Sequence, residues 1–251
     1  MKLKIYWEYK CYSLNNSWEN SNNPKYNVYI DNLKNIDYSE KNIIILYEPK
    51  SIIPQLYEYV FNNVDKFYKI FTHRKELCDG IKIININPFL PSWISSDDTK
   101  IYHKTKLVSM IASTKIMCKG HQYRQEIANR FPFKNHLFGT GRESFIKNKL
   151  DGLKDYMFSI AMENEVCDLY YTEKILDCFR TGTIPVYWGH KNISKVFNPD
   201  GILWVDEINI SKLNNDLYLS KENAIRENYN IAIGLQSDSN YMIDYVVSWL
   251  K

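Results

Sequence analysis

The stretch Tyr156–Gly189, "YMFSIAMENEVCDLYYTEKILDCFRTGTIPVYWG", constrains the fold more than any other part of the chain. Two β-type runs, Tyr156–Met162 and Thr183–Trp188, flank a segment with helical spacing that starts near Thr172. Thr172 suits an N-cap, because its hydroxyl can accept from a backbone N–H of the first turn. Ile175, Leu176 and Phe179 give that helix one apolar face, and Gly182 is placed to end it. Polar residues gather where the elements meet: Glu163 and Asn164 after the first strand, Glu173 and Lys174 at the helix start. The macrodipole favours Glu173 there and disfavours Lys174. A bound anion, held by free N–H groups and the ammonium together, accounts for the lysine.

The rest of the chain repeats this alternation. Leu3–Trp7, Asn42–Tyr47, Phe67–Phe71 and Ile81–Ile86 read as strands, with a helix over Ser51–Asn62 and an Asn/Ser-rich excursion over Asn15–Lys25. "NPFLPSWISSDDTK" (Asn87–Lys100), with two prolines, is the best linker. Beyond it come a strand at Lys106–Ala112, a helix at Gly120–Arg130, a short strand at His136–Phe138 and another at Ile202–Val205. Ser220–Gln236 and Ser239–Leu250 read as helices. The second is apolar almost all round and must be covered on several sides, as a helix wedged between domains would be. Strands alternating with helices on both sides of a linker predict two α/β domains with parallel sheets, whose ligands bind beyond the carboxyl ends of the strands.

Composition sets limits. Among 251 residues, 45% apolar and 24% charged is ordinary for a globular chain, and a net charge of +3 gives no reason to expect a nucleic-acid partner. Five cysteines without CxxC spacing argue against a disulfide scaffold or a zinc site and fit a reducing compartment. The five histidines show no metal spacing and read as structural or surface residues, with His121, one turn before Arg124, the one to watch. "MKLKIYWEYK" has no apolar signal region and no run approaches a membrane span, so a soluble, cytoplasmic chain is expected, a peripheral membrane contact being left open. Oligomeric state is not legible.

A second basic feature is "GHQYRQEIANR", where Arg124 lies near the first turn of a helix. Arginine can clamp phosphate oxygens bidentately, and with Lys174 it would supply two cations from two helix starts, which suits a diphosphate.

At this point the sequence resembles a known family. "FSIAMEN…YYTEKILDCFRTGTIPVYWG" is very similar to the donor-binding signature of the family 10 glycosyltransferases, the α-1,3/1,4-fucosyltransferases, including the nine-residue step from Asn164 to Glu173. "VSMIASTKIMCKGHQYRQEI" resembles the segment before the family's phosphate-binding arginine; the likeness is strong over about Lys106–Asp206 and vague before residue 100. The resemblance implies a GT-B-like α/β fold of two Rossmann-type domains facing a central cleft. Residues 1–100 would be the acceptor-binding domain and 101–251 the nucleotide-sugar donor-binding domain, with the last helix free to pack back on the first. It implies inverting transfer of fucose from GDP-fucose to a glycan hydroxyl. Arg124 and Lys174 would hold the diphosphate, Glu173 would contact the donor sugar or ribose, and Asn164 and Tyr170 would contact the donor.

No metal cofactor is then required, manganese being at most stimulatory. No Asp-x-Asp occurs in the chain, and two cations can stabilise a departing diphosphate. Inversion needs a general base. The family places a glutamate after an N-terminal-domain strand, which matches Glu48 in "NIIILYEPKSIIP", although Tyr-Glu-Pro stands here for the usual Gly-Glu-Asn; Glu8 in "IYWEY" is the weaker contender. Two other readings stay open: a GT-B transferase using another nucleotide sugar, and a non-catalytic nucleotide- or carbohydrate-binding module.

Overall fold

The computed structural model describes residues 2–7, 23–86, 92–168, 170–235 and 239–250. Glu8, residues 15–22 of the expected excursion and residues 87–91 of the expected linker lie outside them. The chain divides into two compact units, Met1–Pro88 with Asp238–Lys251, and Phe89–Ser237.

The first unit holds a five-stranded sheet of β1 (Leu3–Trp7), β2 (Tyr26–Ile30), β3 (Asn42–Leu46), β4 (Lys69–Thr72) and β5 (Ile83–Asn85), all parallel and in chain order. β2 has no counterpart among the strands expected from sequence. All five of its residues are buried, and Val28 pairs with Ile5 on one side and Ile43 on the other. β5 is shorter than the expected run from Ile81, because Asp79 Oδ1 accepts from the N–H groups of Ile81, Lys82 and Ile83 and makes that stretch a turn. Helix α1 (Pro54–Asn62) starts later than Ser51, since the ring of Pro54 sets the first turn and bars helical geometry before it. Tyr57 and Val60 of α1 pack with Tyr29, Ile44, Leu46 and Ile70 to form this unit's core.

The second unit holds β6 (Lys106–Ile111), β7 (Leu137–Phe138), β8 (Tyr156–Met162), β9 (Ile184–Trp188) and β10 (Leu203–Trp204), again all parallel, in the order β10-β9-β8-β6-β7. Period-two alternation sends Val108, Met110, Phe158, Ile160, Ile184 and Val186 to one face, where they meet Ala128 of α2 (Lys119–Arg130). Ala161 and Tyr187 face the other way, onto Ile175, Leu176 and Phe179 of α3 (Glu173–Arg180). Helices therefore cover both faces, as a parallel sheet requires. Gly182, at φ 69°, turns the chain out of α3 so that the N–H of Thr183 reaches the carbonyl of Cys178 at 2.9 Å.

From β6 the chain goes to the β7 edge and then returns to β8 on the opposite side of β6. The strand order thus reverses between β6 and β8, and a crevice opens beyond the carboxyl ends of such neighbours. The helix expected over 220–236 is α5 (Glu222–Gly234), and a short helix that was not expected, α4 (Asn215–Leu219), precedes it. The last, α6 (Ser239–Ser248), belongs to the first unit: Met242, Ile243 and Val246 are buried, and the Tyr245 hydroxyl donates to the Asn85 carbonyl at 3.0 Å.

Candidate functional site

The loops after β6 and β8 meet at this reversal. β8 delivers Glu163, whose side chain is fully buried. Its carboxylate accepts from the Thr172 N–H (2.9 Å), the Thr172 hydroxyl (2.7 Å) and the Tyr187 hydroxyl (3.2 Å). The residue that caps α3 is thereby tied to the end of the central strand, which fixes where the first turn of α3 points. The Thr172 hydroxyl also accepts from the ammonium of Lys174 at 2.9 Å. That ammonium lies 3.4 Å from Glu163 Oε2 and 3.5 Å from Glu173 Oε1. Two carboxylates thus offset the dipole penalty of a cation in the first turn.

Arg124 lies in the second turn of α2, near the first as expected, and reaches back to the strand end. Its Nη2 donates to the Met162 carbonyl (2.7 Å), the Glu163 carbonyl (3.2 Å) and Asn164 Oδ1 (2.9 Å). Burial pulls its pKa down, opposed chiefly by the charge of Glu163. His121 joins the group. Its Nδ1 accepts from the Met117 N–H at 3.1 Å, so Nε2 carries the proton and donates to Asn164 Oδ1 at 3.1 Å. Burial, and then the charge of Arg124, depress the pKa of His121 and favour this neutral form. Tyr170 is buried in the connecting loop, where its N–H closes a turn on the Cys167 carbonyl at 3.1 Å.

Arg124, Asn164, Glu173 and Lys174 therefore form one cluster, with Glu163 between the two cations: its backbone carbonyl holds Arg124 and its carboxylate holds Lys174. Glu48 lies in the other unit, half-buried just past β3, with its N–H donated to the Asp31 carboxylate at 3.0 Å. Asp31 itself has a left-handed φ of 53°, and burial pushes its carboxyl up to about 8.

A cavity of about 580 Å³ opens beside the start of α3. Glu173, Lys174 and Asp177 line it on the helix side, Ser113 and Thr140 on the strand side, and Lys149 and Trp93 close it. Glu173 is tuned by this wall. Burial alone would raise its carboxyl, but the ammoniums of Lys174 and Lys149 outweigh it and hold the group at about 2. Lys149 and Asp177 were not singled out from the sequence. Lys149 lies in the short 3₁₀ turn Lys149–Gly152, and Asp177 reads simply as the polar side of α3. Among the described residues, no group of three or more His, Cys, Asp or Glu side chains is placed to hold a metal ion, and no helix is long and apolar enough to cross a membrane.

Close backbone approach shapes the site as well. Gly120, in the first turn of α2, abuts the Asn164 carbonyl so tightly that a Cβ would overlap it. Gly120→Ala should cost about 1–3 kcal/mol by overpacking and displace Asn164 from Arg124. Denaturation checks the cost, and calorimetry with GDP, the nucleotide that the family resemblance implies, checks the displacement. Wild-type stability together with wild-type GDP affinity would show that the contact does not set the loop.

Residues 101–230, more than half of the chain, match the family model described as glycosyltransferase family 10 (fucosyltransferase) C-term. An alpha-(1,3)-fucosyltransferase, FucT, of Helicobacter pylori is 40% identical over 62 residues, a stretch covering 25% of this chain and 13% of that protein. A crystal structure of alpha1,3-fucosyltransferase shares the fold at a TM-score of 0.56 and 16% identity, over 92% of this chain and 80% of that one. An alpha-glucosyltransferase solved with UDP and DNA is similarly related in fold, at a TM-score of 0.57 and 14% identity, over 90% of this chain and 80% of that one. The fold is thus common to transferases of different donors, whereas the sequence match covers the residues that build the cluster, and the chain belongs to glycosyltransferase family 10, the fucosyltransferases.

Proposed function

We propose that the chain is an inverting, metal-independent fucosyltransferase that moves fucose from GDP-fucose to a hydroxyl of a glycan. The observation that carries this reading is the Arg124–Asn164–Glu173–Lys174 cluster at the strand-order reversal, inside the segment that matches the family. As the glycosidic bond breaks, negative charge accumulates on the departing GDP and the sugar becomes oxocarbenium-like. Arg124 and Lys174 stabilise that charge, as preorganised donors do where charge develops. Lys174 swings from the carboxylates of Glu163 and Glu173 to the diphosphate, while Arg124 stays anchored to the end of β8. Tyr170 and Asn164 contact the donor, and Glu173 accepts from its sugar or ribose. Glu48 deprotonates the attacking hydroxyl from the face opposite the leaving group, which gives inversion. Its backbone is already fixed by Asp31.

The test is isothermal calorimetry with GDP, GDP-fucose, GDP-mannose and UDP-glucose, run with EDTA and again with manganese. Selective binding of guanine nucleotides that survives EDTA is expected. Binding of UDP-glucose alone, or binding only with manganese, would replace this reading with that of a different GT-B transferase. Donor binding without transfer to any of a panel of glycans, unchanged in Glu48→Ala, would point to a non-catalytic binding module.

A further inference from the structure

β3 ends at Leu46, yet the chain just past it is pinned at four backbone groups. Asp31 follows β2, and its N–H completes the β2–β3 ladder on the Ile45 carbonyl at 3.1 Å. Its carboxylate then reaches one rung further. Oδ1 accepts from the Tyr47 N–H at 2.7 Å, and both oxygens accept from the Glu48 N–H, at 3.1 and 3.0 Å. The Glu48 carbonyl accepts from the Tyr57 hydroxyl at 3.3 Å. The Pro49 carbonyl accepts from the N–H groups of Ile52 and Ile53 at 2.8 and 3.2 Å, and the proline ring confines Glu48 before it to extended backbone. Asp31 takes this role in an unfavourable state. Its φ of 53° is left-handed, and no lysine or arginine pairs with its carboxylate among the described residues. Strain of this kind persists where the surroundings impose it, and it collects at functional sites. Here it lies beyond the last rung of the sheet, at Glu48.

We propose that Asp31 and Tyr57 are positioning residues for the general base, holding Glu48 by its N–H and its carbonyl so that its side chain leaves the backbone in one direction. This rests on the reading of Glu48 as the base, and it names two residues that act on the reaction only through it. A turn requirement alone would be met better by glycine at position 31, which adopts a positive φ without strain. A packing requirement alone would be met by phenylalanine at position 57, since the Tyr57 ring already packs with Val60, Ile44 and Leu46. Neither replacement keeps the polar group that holds Glu48.

The experiment follows GDP release from GDP-fucose by the full chain, with water and then a panel of glycans as acceptor, alongside calorimetry with GDP-fucose. Wild type is compared with Asp31→Gly, Asp31→Asn, Tyr57→Phe and Glu48→Gln. Asp31→Gly should lower kcat about 10- to 100-fold, the loss expected when a reacting group is misplaced by about 1 Å. GDP-fucose affinity should stay unchanged, because the donor cluster lies in the other unit. Asp31→Asn keeps an acceptor and tolerates the left-handed conformation, so it should recover part of the loss. Tyr57→Phe should lower kcat by a smaller factor, again at unchanged affinity. The proposal is overturned if Asp31→Gly and Tyr57→Phe release GDP at the wild-type rate, if kcat and donor affinity fall together, or if Asp31→Asn is no better than Asp31→Gly. Should the glycine variant fail to fold, Tyr57→Phe decides alone. Wild-type release by Glu48→Gln would instead remove the base reading, and a wild type that releases no GDP would remove the transferase reading. Both results differ from a Glu48-dependent enzyme that is indifferent to Asp31 and Tyr57.

Discussion

Glu163→Ala should destabilise the second unit by about 3–5 kcal/mol, the range for breaking a buried ion pair from one side. The carboxylate is fully buried and serves the Thr172 N–H, the Thr172 hydroxyl, the Tyr187 hydroxyl and the Lys174 ammonium together. Alanine removes the acceptor of the buried Thr172 and Tyr187 groups, while Lys174, partly exposed, keeps Thr172 and Glu173. Glu163→Gln keeps the volume and one carbonyl, so its loss should be smaller. Chemical denaturation followed by circular dichroism measures both. Equal stability of Glu163→Ala and wild type would mean that Thr172 and Tyr187 find other acceptors and that the capping network is incidental. Because this residue also sets the direction of the first turn of α3, GDP affinity should fall in the alanine variant even where it remains folded.

Lys174→Ala should lower the rate of the proposed transfer by about 10²- to 10³-fold, the usual loss for one donor aimed at developing charge. The leaving diphosphate carries more charge in the transition state than in the bound donor, so kcat should fall more than donor affinity. The substitution also removes the strongest attraction holding the Glu173 carboxyl at about 2, leaving Lys149 and a hydrogen bond from Thr172 against burial. Two losses in one variant are therefore expected, and Lys174→Arg, which keeps the charge, should recover part of the rate. Steady-state assays of GDP release, with donor and acceptor varied separately, make the distinction. Transfer by Lys174→Ala within a few-fold of wild type would leave Arg124 as the sole stabiliser of the leaving group.

Features of the site carried by local chemistry were legible in the sequence. A threonine cap, a three-residue apolar face and a terminal glycine located α3. What escaped depended on distant partners. Glu163 stood out as a polar residue at a strand end, but its role comes from Thr172, nine residues on, and from Tyr187 on the next strand. Lys149 reaches the cavity from a 3₁₀ turn with no period to reveal it, and Asp177 is recognisable as a wall residue only once the segment carrying Ser92 and Trp93 has docked on it. β2 was hidden for a different reason. Its five residues, Tyr-Asn-Val-Tyr-Ile, show no strict alternation of apolar and polar types because neighbours on both sides bury it, and it is too short to stand out from an Asn- and Tyr-rich background.

The placement of α6 has a consequence for how the protein is made. The five strands of the first unit all precede residue 89, yet the helix completing that unit lies beyond residue 238. At ribosomal speeds of about 5–20 residues per second, the intervening segment takes roughly 7–30 s to emerge. For that time the ring of Phe71, on the sheet face away from α1, lacks Tyr245, which later meets it edge-on. The second unit, which is continuous in the chain, can be complete before the first is closed, so a helix made after it finishes the unit begun before it.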